Sequence, residues 1–68
     1  NNLINLTELD LSWNKITKIN NEVFCLTNLK ILNMAGNEIS EIPLNISNLI
    51  NLKILNLSFN KIIEIIPI

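Results

Sequence analysis

Few residues in this 68-residue chain are able to do chemistry, and their spacing restricts what that chemistry could be. Glu8 and Asp10 stand two apart, so a strand would carry both carboxylates on one face. A paired-carboxylate mechanism needs its two groups on opposite sides of a bond held in a cleft, which a single strand face does not provide. Ser12, Ser40, Ser47, Ser58 and the single Cys25 are candidate nucleophiles, but the chain has no His to activate any of them. Arg and Tyr are also absent, and the lone Gly36 rules out a glycine-rich phosphate loop. A calcium site would require six or more oxygens from a loop of alternating acidic residues, and no such loop occurs. These residues predict no catalysis, no metal site and no cofactor.

Composition narrows the partners. The formal charge is −1 and the estimated pI 5.1, with no basic run. That speaks against nucleic-acid binding, which needs a clustered basic footprint. No apolar run reaches the length of about 18 residues that marks a membrane span. Cys25 has no second cysteine to pair with, which favours a reducing compartment and a cytoplasmic location. It is expected to be a partly buried small residue. Asn5-Leu6-Thr7, Asn45-Ile46-Ser47 and Asn56-Leu57-Ser58 match the glycosylation acceptor pattern, so a secreted or cell-surface location is the minority reading. In a chain this rich in asparagine, about one such match arises by chance.

The elements that must position these side chains follow from a repeat. Asn14, Asn37 and Asn60 are 23 residues apart, and one hydrophobic frame surrounds all three. It reads Leu6-x-x-Leu9-x-Leu11-x-x-Asn14-x-Ile16-x-x-Ile19, then Leu29-x-x-Leu32-x-Met34-x-x-Asn37-x-Ile39-x-x-Ile42, then Leu52-x-x-Leu55-x-Leu57-x-x-Asn60-x-Ile62-x-x-Ile65. Seven columns, headed by Leu3, Asn5, Leu6, Leu9, Asn14, Ile16 and Ile19, hold one residue type in all three copies. A fixed period of this length predicts a solenoid, in which no repeat buries its apolar face alone and each must stack on its neighbours.

The pattern resembles the leucine-rich-repeat family, whose motif is L-x-x-L-x-L-x-x-N-x-L, and the resemblance runs over essentially the whole chain. The period and the stretch Ile42-Pro43-x-x-Ile46-x-x-Leu49 look like the intracellular Ras-suppressor type. The first copy, Ile19-Asn20-Asn21-Glu22-Val23-Phe24-Cys25-Leu26, lacks the proline, and the third places Pro67 one residue late. The resemblance implies an α/β solenoid, a right-handed coil with a parallel sheet on its concave face and short helical or 3₁₀ turns on its convex face. Residues 1–68 would then be about three coils of a longer array. Neither end carries a polar capping repeat, and uncapped coils expose core to water, which predicts either flanking repeats or self-association through the ends. Ile63 and Ile66, apolar where earlier copies carry polar residues or proline, suggest a covered surface near the last coil.

Period-two alternation at Leu9-x-Leu11, Leu32-x-Met34 and Leu55-x-Leu57 predicts strands near 8–12, 31–35 and 54–58, paired in parallel. A sharp turn must follow each strand at Asn14, Asn37 or Asn60. A carboxamide turned inward there offers two donors and one acceptor to its own turn and to the next coil, so these three predict a structural ladder. Asp could not replace it, because a buried carboxylate has no donors and carries charge. The spacing Val23-x-x-Leu26 and Ile46-x-x-Leu49 predicts a short helical or 3₁₀ turn, begun in the second copy by Pro43. Asn5, Asn28 and Asn51 are read as turn residues leading into the strands.

The variable positions between the strand leucines form four columns: Glu8, Ile31, Ile54; Asp10, Asn33, Asn56; Ser12, Ala35, Ser58; and Trp13, Gly36, Phe59. In the family the concave sheet usually binds a protein, which makes Glu8, Asp10, Trp13, Ile31, Asn33, Ile54, Asn56 and Phe59 the candidate contact residues. Ile31 and Ile54 are expected to face solvent and touch, beginning an apolar patch. Asn33 over Asn56 is a candidate amide ladder. The expected function is a protein–protein interaction module for an unidentified protein partner. The alternative is structural: spacer repeats inside a larger scaffold, without a partner of their own.

Overall fold

The computed structural model describes residues 3–65. It contains five short strands: β1 (Glu8–Asp10), β2 (Ile31–Asn33), β3 (Glu41–Ile42), β4 (Ile54–Asn56) and β5 (Glu64–Ile65). Strands β1, β2 and β4 form a parallel sheet in that order. The sequence period is its register: Glu8 pairs with Ile31 and Ile31 with Ile54, Leu9 with Leu32 and Leu55, Asp10 with Asn33 and Asn56. Alternation along each strand turns the leucine column toward the core and its neighbours outward.

Each sheet strand is three residues long and not the expected five, for a local reason. The N–H groups of Ser12, Ala35 and Ser58 are taken by the side-chain oxygens of Asp10, Asn33 and Asn56, at 2.9, 3.0 and 3.0 Å. A side chain that bonds the backbone two residues on makes a turn and ends the strand. The neighbouring N–H groups still reach across: Leu11 donates to the Asn33 carbonyl and Trp13 to that of Ala35, both at 2.8 Å. Met34 and Gly36 repeat this toward Asn56 and Ser58, at 2.8 and 2.9 Å.

The return segments carry 3₁₀ turns at Leu3–Asn5, Asn21–Cys25 and Leu44–Asn48. The second begins at Asn20, whose side chain accepts from the Glu22 N–H at 2.8 Å. The third begins at Pro43, in an extended conformation (φ −77°, ψ 160°). Proline therefore occupies the capping position and not the first turn position, and its carbonyl accepts from the Ile46 N–H. The parallel pair β3–β5, with Ile42 beside Ile65, was not expected from the sequence. Two-residue strands leave no alternation to read, and backbone bonds lead into the pair, with Lys61 N–H on the Ile39 carbonyl at 3.0 Å and Ile63 N–H on the Ser40 carbonyl at 2.9 Å. Ile63 is exposed, and Ile66 lies outside the described residues.

The core centres on the second repeat. Leu29, Leu32, Met34 and Ile39 are fully buried, whereas Leu6, Leu9 and Leu11 before them, and Leu52, Leu55 and Leu57 after them, are half-buried. That is the pattern expected when each repeat covers only its neighbours. Ile19, Val23, Phe24 and Leu49 close the side away from the sheet. Phe24 was not foreseen there, because its column holds Ser47 in the next copy. Cys25 is exposed, contrary to expectation: the 3₁₀ turn directs Val23 and Phe24 inward and leaves Cys25 at its outer end.

Candidate functional site

The asparagine ladder is the scaffold on which the candidate surface rests. Asn37, only 4% exposed, accepts from the Ile16 N–H of the preceding repeat at 3.1 Å. Its amide donates to the Leu11 carbonyl of that repeat at 3.0 Å and to the Met34 carbonyl of its own turn at 2.9 Å. Asn60 repeats this one repeat later, accepting from Ile39 N–H at 3.0 Å and donating to Met34 and Leu57 at 2.9 and 3.1 Å. Asn14 is exposed and, among the described residues, bonds only its own turn, through Leu11 and Ser12, so it does not reach another repeat as the expected ladder required. Among the described residues no buried side-chain polar atom lacks a partner.

Asn28 and Asn51 do more than lead into strands. Their amides donate to the carbonyls of Ile4 and Thr27, each in the preceding repeat, at 2.8 and 2.9 Å. A second column of side chains therefore ties the repeats together, below the strands as the first does above them. The recurrence of Asn5, Asn28 and Asn51 was the available signal for it.

On the outer face of the sheet, Glu8 is exposed, Ile31 is half-buried and Ile54 is 54% exposed. The register sets Ile31 and Ile54 side by side, as expected, but the central position of β2 screens Ile31 from solvent on both flanks. The second row is held rigid. Asp10 accepts from both the hydroxyl and the N–H of Ser12. Those two bonds hold its carboxyl below the usual carboxylate range, the Ser12 hydroxyl contributing most, against a small opposing effect of burial. Asn33 and Asn56 do not form the expected ladder with each other, because each carboxamide oxygen is bound to its own strand by the N–H two residues on.

The fourth column makes an arrangement that spacing alone did not reveal. Trp13, Gly36 and Phe59 all have left-handed backbone, with φ of 58°, 70° and 57°. For two bulky aromatics this is a costly conformation, imposed by the turn that carries the chain from strand to ladder. Two strand spacings would separate Trp13 from Phe59 by roughly 10 Å, yet their ring centroids are 5.6 Å apart at 34°. The rings close over the space left by Gly36. A Cβ on Gly36 would lie 2.2 Å from the indole Cε3. Both aromatics remain largely open to solvent, at 70% and 76%.

The surface therefore gathers all eight expected contact residues onto the sheet or its C-terminal margin. Among the described residues there is no cluster of His, Cys, Asp and Glu able to hold a metal, and no helix long and apolar enough to cross a membrane. The acceptor-pattern Asn56 is half-buried and bonded to Ser58, whereas Asn5 and Asn45 are exposed. No curated protein matches the chain. The family model described as leucine rich repeat matches residues 4–62. With the register-matched parallel sheet, the 3₁₀ turns and the asparagine ladder in place, the chain belongs to the leucine-rich-repeat family.

Proposed function

We propose that this chain is a protein-recognition module that receives its partner on the outer face of the β1-β2-β4 sheet, through Glu8, Asp10, Trp13, Ile31, Asn33, Ile54, Asn56 and Phe59. Leucine-rich-repeat domains generally mediate protein–protein interaction and are typically non-enzymatic. The observation that carries the reading to this face is the close pair of exposed rings, Trp13 and Phe59, at the margin of the sheet that also carries the exposed Ile54. Large exposed apolar groups held close together mark interaction surfaces, and tryptophan is enriched where binding energy concentrates. The reading includes a right-handed solenoid continuing beyond these repeats, as part of a cytoplasmic protein of the Ras-suppressor type.

The alternative, spacer repeats without a partner, has one observation in its favour: Asp10, Asn33 and Asn56 spend an oxygen each on their own turns. The test compares affinity-purified partners of the wild-type chain with those of Ile54→Lys, Trp13→Ala and, in the exposed turn that precedes β4, Ile50→Lys. Loss of the same partner from the two sheet-face variants, with retention by Ile50→Lys, supports recognition. No specific capture by any of the four folded proteins supports the spacer reading, and equal capture by all four removes the partner from this face.

A further inference from the structure

We infer that the occupant of this face is an extended peptide segment that crosses the strands, with a basic side chain over β1 and apolar side chains over β2 and β4. The inference rests on the recognition reading above and adds the chemistry and orientation of the partner.

The outer face is polarised across its three strands. Glu8 and Asp10 put two carboxylates on β1, and neither has an ion-pair partner among the described residues. Their register equivalents are Ile31 with Asn33, then Ile54 with Asn56. A cation placed over β1 therefore meets charge of opposite sign, and an aliphatic side chain placed over the other two strands meets isoleucine. In the reverse orientation a cation over β4 would meet Ile54 and Asn56, neither of which carries charge.

The middle row adds directionality. One oxygen of Asp10 is bound to Ser12, which leaves the other free to accept from a cation. The oxygens of Asn33 and Asn56 are bound in the same manner, so each carboxamide presents its NH₂ group outward, without a hydrogen bond among the described residues. Neither amide is sealed off, since no buried side-chain polar atom lacks a partner. The row thus offers an anionic acceptor at β1 and two donors at β2 and β4. An extended chain supplies backbone carbonyls for those donors. Two strand spacings are roughly 10 Å, which is about one three-residue turn of a polyproline-II segment, so an extended chain of that kind returns to the same face there and places the basic residue three positions from the distal apolar one.

Random dodecapeptides displayed on phage, panned against the folded chain, test this. Peptides enriched on the wild type are expected to carry Lys or Arg within a few residues of Leu, Ile, Val or Phe. Glu8→Gln with Asp10→Asn should weaken synthetic versions of them about two- to thirty-fold, as for the loss of two exposed ion pairs. Asparagine at position 10 keeps the bond to Ser12 that Asn33 and Asn56 make to their own turns, so this variant preserves the fold, with circular dichroism as the check. Panning against Glu8→Lys with Asp10→Asn should replace the basic preference by an acidic one. Peptides that require Ile54 but ignore the two carboxylates overturn this inference and leave the recognition reading standing. Peptides indifferent to every sheet-face change, or no enrichment above the library, overturn both.

Discussion

Replacing Gly36 by alanine separates two demands that the structure places on one residue. The backbone there is left-handed, at φ 70°, where an L-residue pays about 1–2 kcal/mol. The new methyl would also sit 2.2 Å from Cε3 of Trp13. The indole is 70% exposed and free to swing aside, so the clash need not be borne in full. What is lost on swinging aside is the contact with Phe59, worth about 0.5–1.5 kcal/mol for an aromatic pair. Together the two effects predict a loss of about 1.5–3.5 kcal/mol. Trp13→Ala removes the second effect beforehand, so Gly36→Ala in that background should cost only about 1–2 kcal/mol. The difference is a coupling of about 0.5–1.5 kcal/mol, obtained from urea unfolding of the four proteins followed by far-ultraviolet circular dichroism. Trp13 is the only tryptophan, so its fluorescence should also change in Gly36→Ala as the ring leaves Phe59. Equal costs in the two backgrounds would refute the ring closure over Gly36. A neutral Gly36→Ala would refute both demands.

The same substitution along the ladder should have unequal effects. Asn37→Ala orphans the Ile16 N–H, at about 1–3 kcal/mol, while the Met34 carbonyl keeps its bond from Asn60; Asn14→Ala, which orphans no group of another repeat, should cost no more than about 0.5–1.5 kcal/mol; denaturant midpoints compare them. Leu32→Ala, at a fully buried site, should lose about 2–5 kcal/mol and the half-buried Leu9→Ala distinctly less, by the same measurement. Ser12→Ala should raise the pKa of Asp10 part of the way to its ordinary value, as read by carbon-13 titration, because the backbone bond survives. A depressed folded-state pKa gives stability that is present above the unfolded value and lost as the pH falls through the folded one, so Ser12→Ala should also flatten the acid limb of the stability curve.

Much of this architecture was legible because a repeat states each instruction three times. The leucine column, the parallel register and the inward-turned Asn37 and Asn60 all follow from residues that recur every 23 positions. What sequence reasoning missed is what does not recur. Phe24 is buried where the next copy has Ser47, and β3 and β5 are two residues long, too short for any period to appear. The aromatic pair escaped notice for a different reason. Trp13 and Phe59 lie 46 positions apart, two periods, and their contact depends on the glycine between them in the column. The column Trp13, Gly36, Phe59 is legible as a set, but not that the two rings meet across its glycine.

Three asparagine columns show why identical residues at fixed spacing do not imply identical work. Among the described residues Asn28 and Asn51 use only the amide, to reach a carbonyl one repeat back. Asn33 and Asn56 use only the oxygen, on their own strand, and leave the amide outward. Asn37 and Asn60 use both ends, on both repeats. The assignment follows from which backbone groups each turn leaves unpaired, since a buried orphan costs more than most side-chain contacts return. It also sorts the columns by what substitution can change. Asp is acceptable at position 10, where only an acceptor is required, and unacceptable at position 37, where donors are. Asp10 stands where the later repeats carry asparagine, so one of the sheet face's two carboxylates falls in the asparagine-rich column whose structural task a carboxylate also performs. The charge of this face is therefore free to vary without disturbing the ladder beneath it.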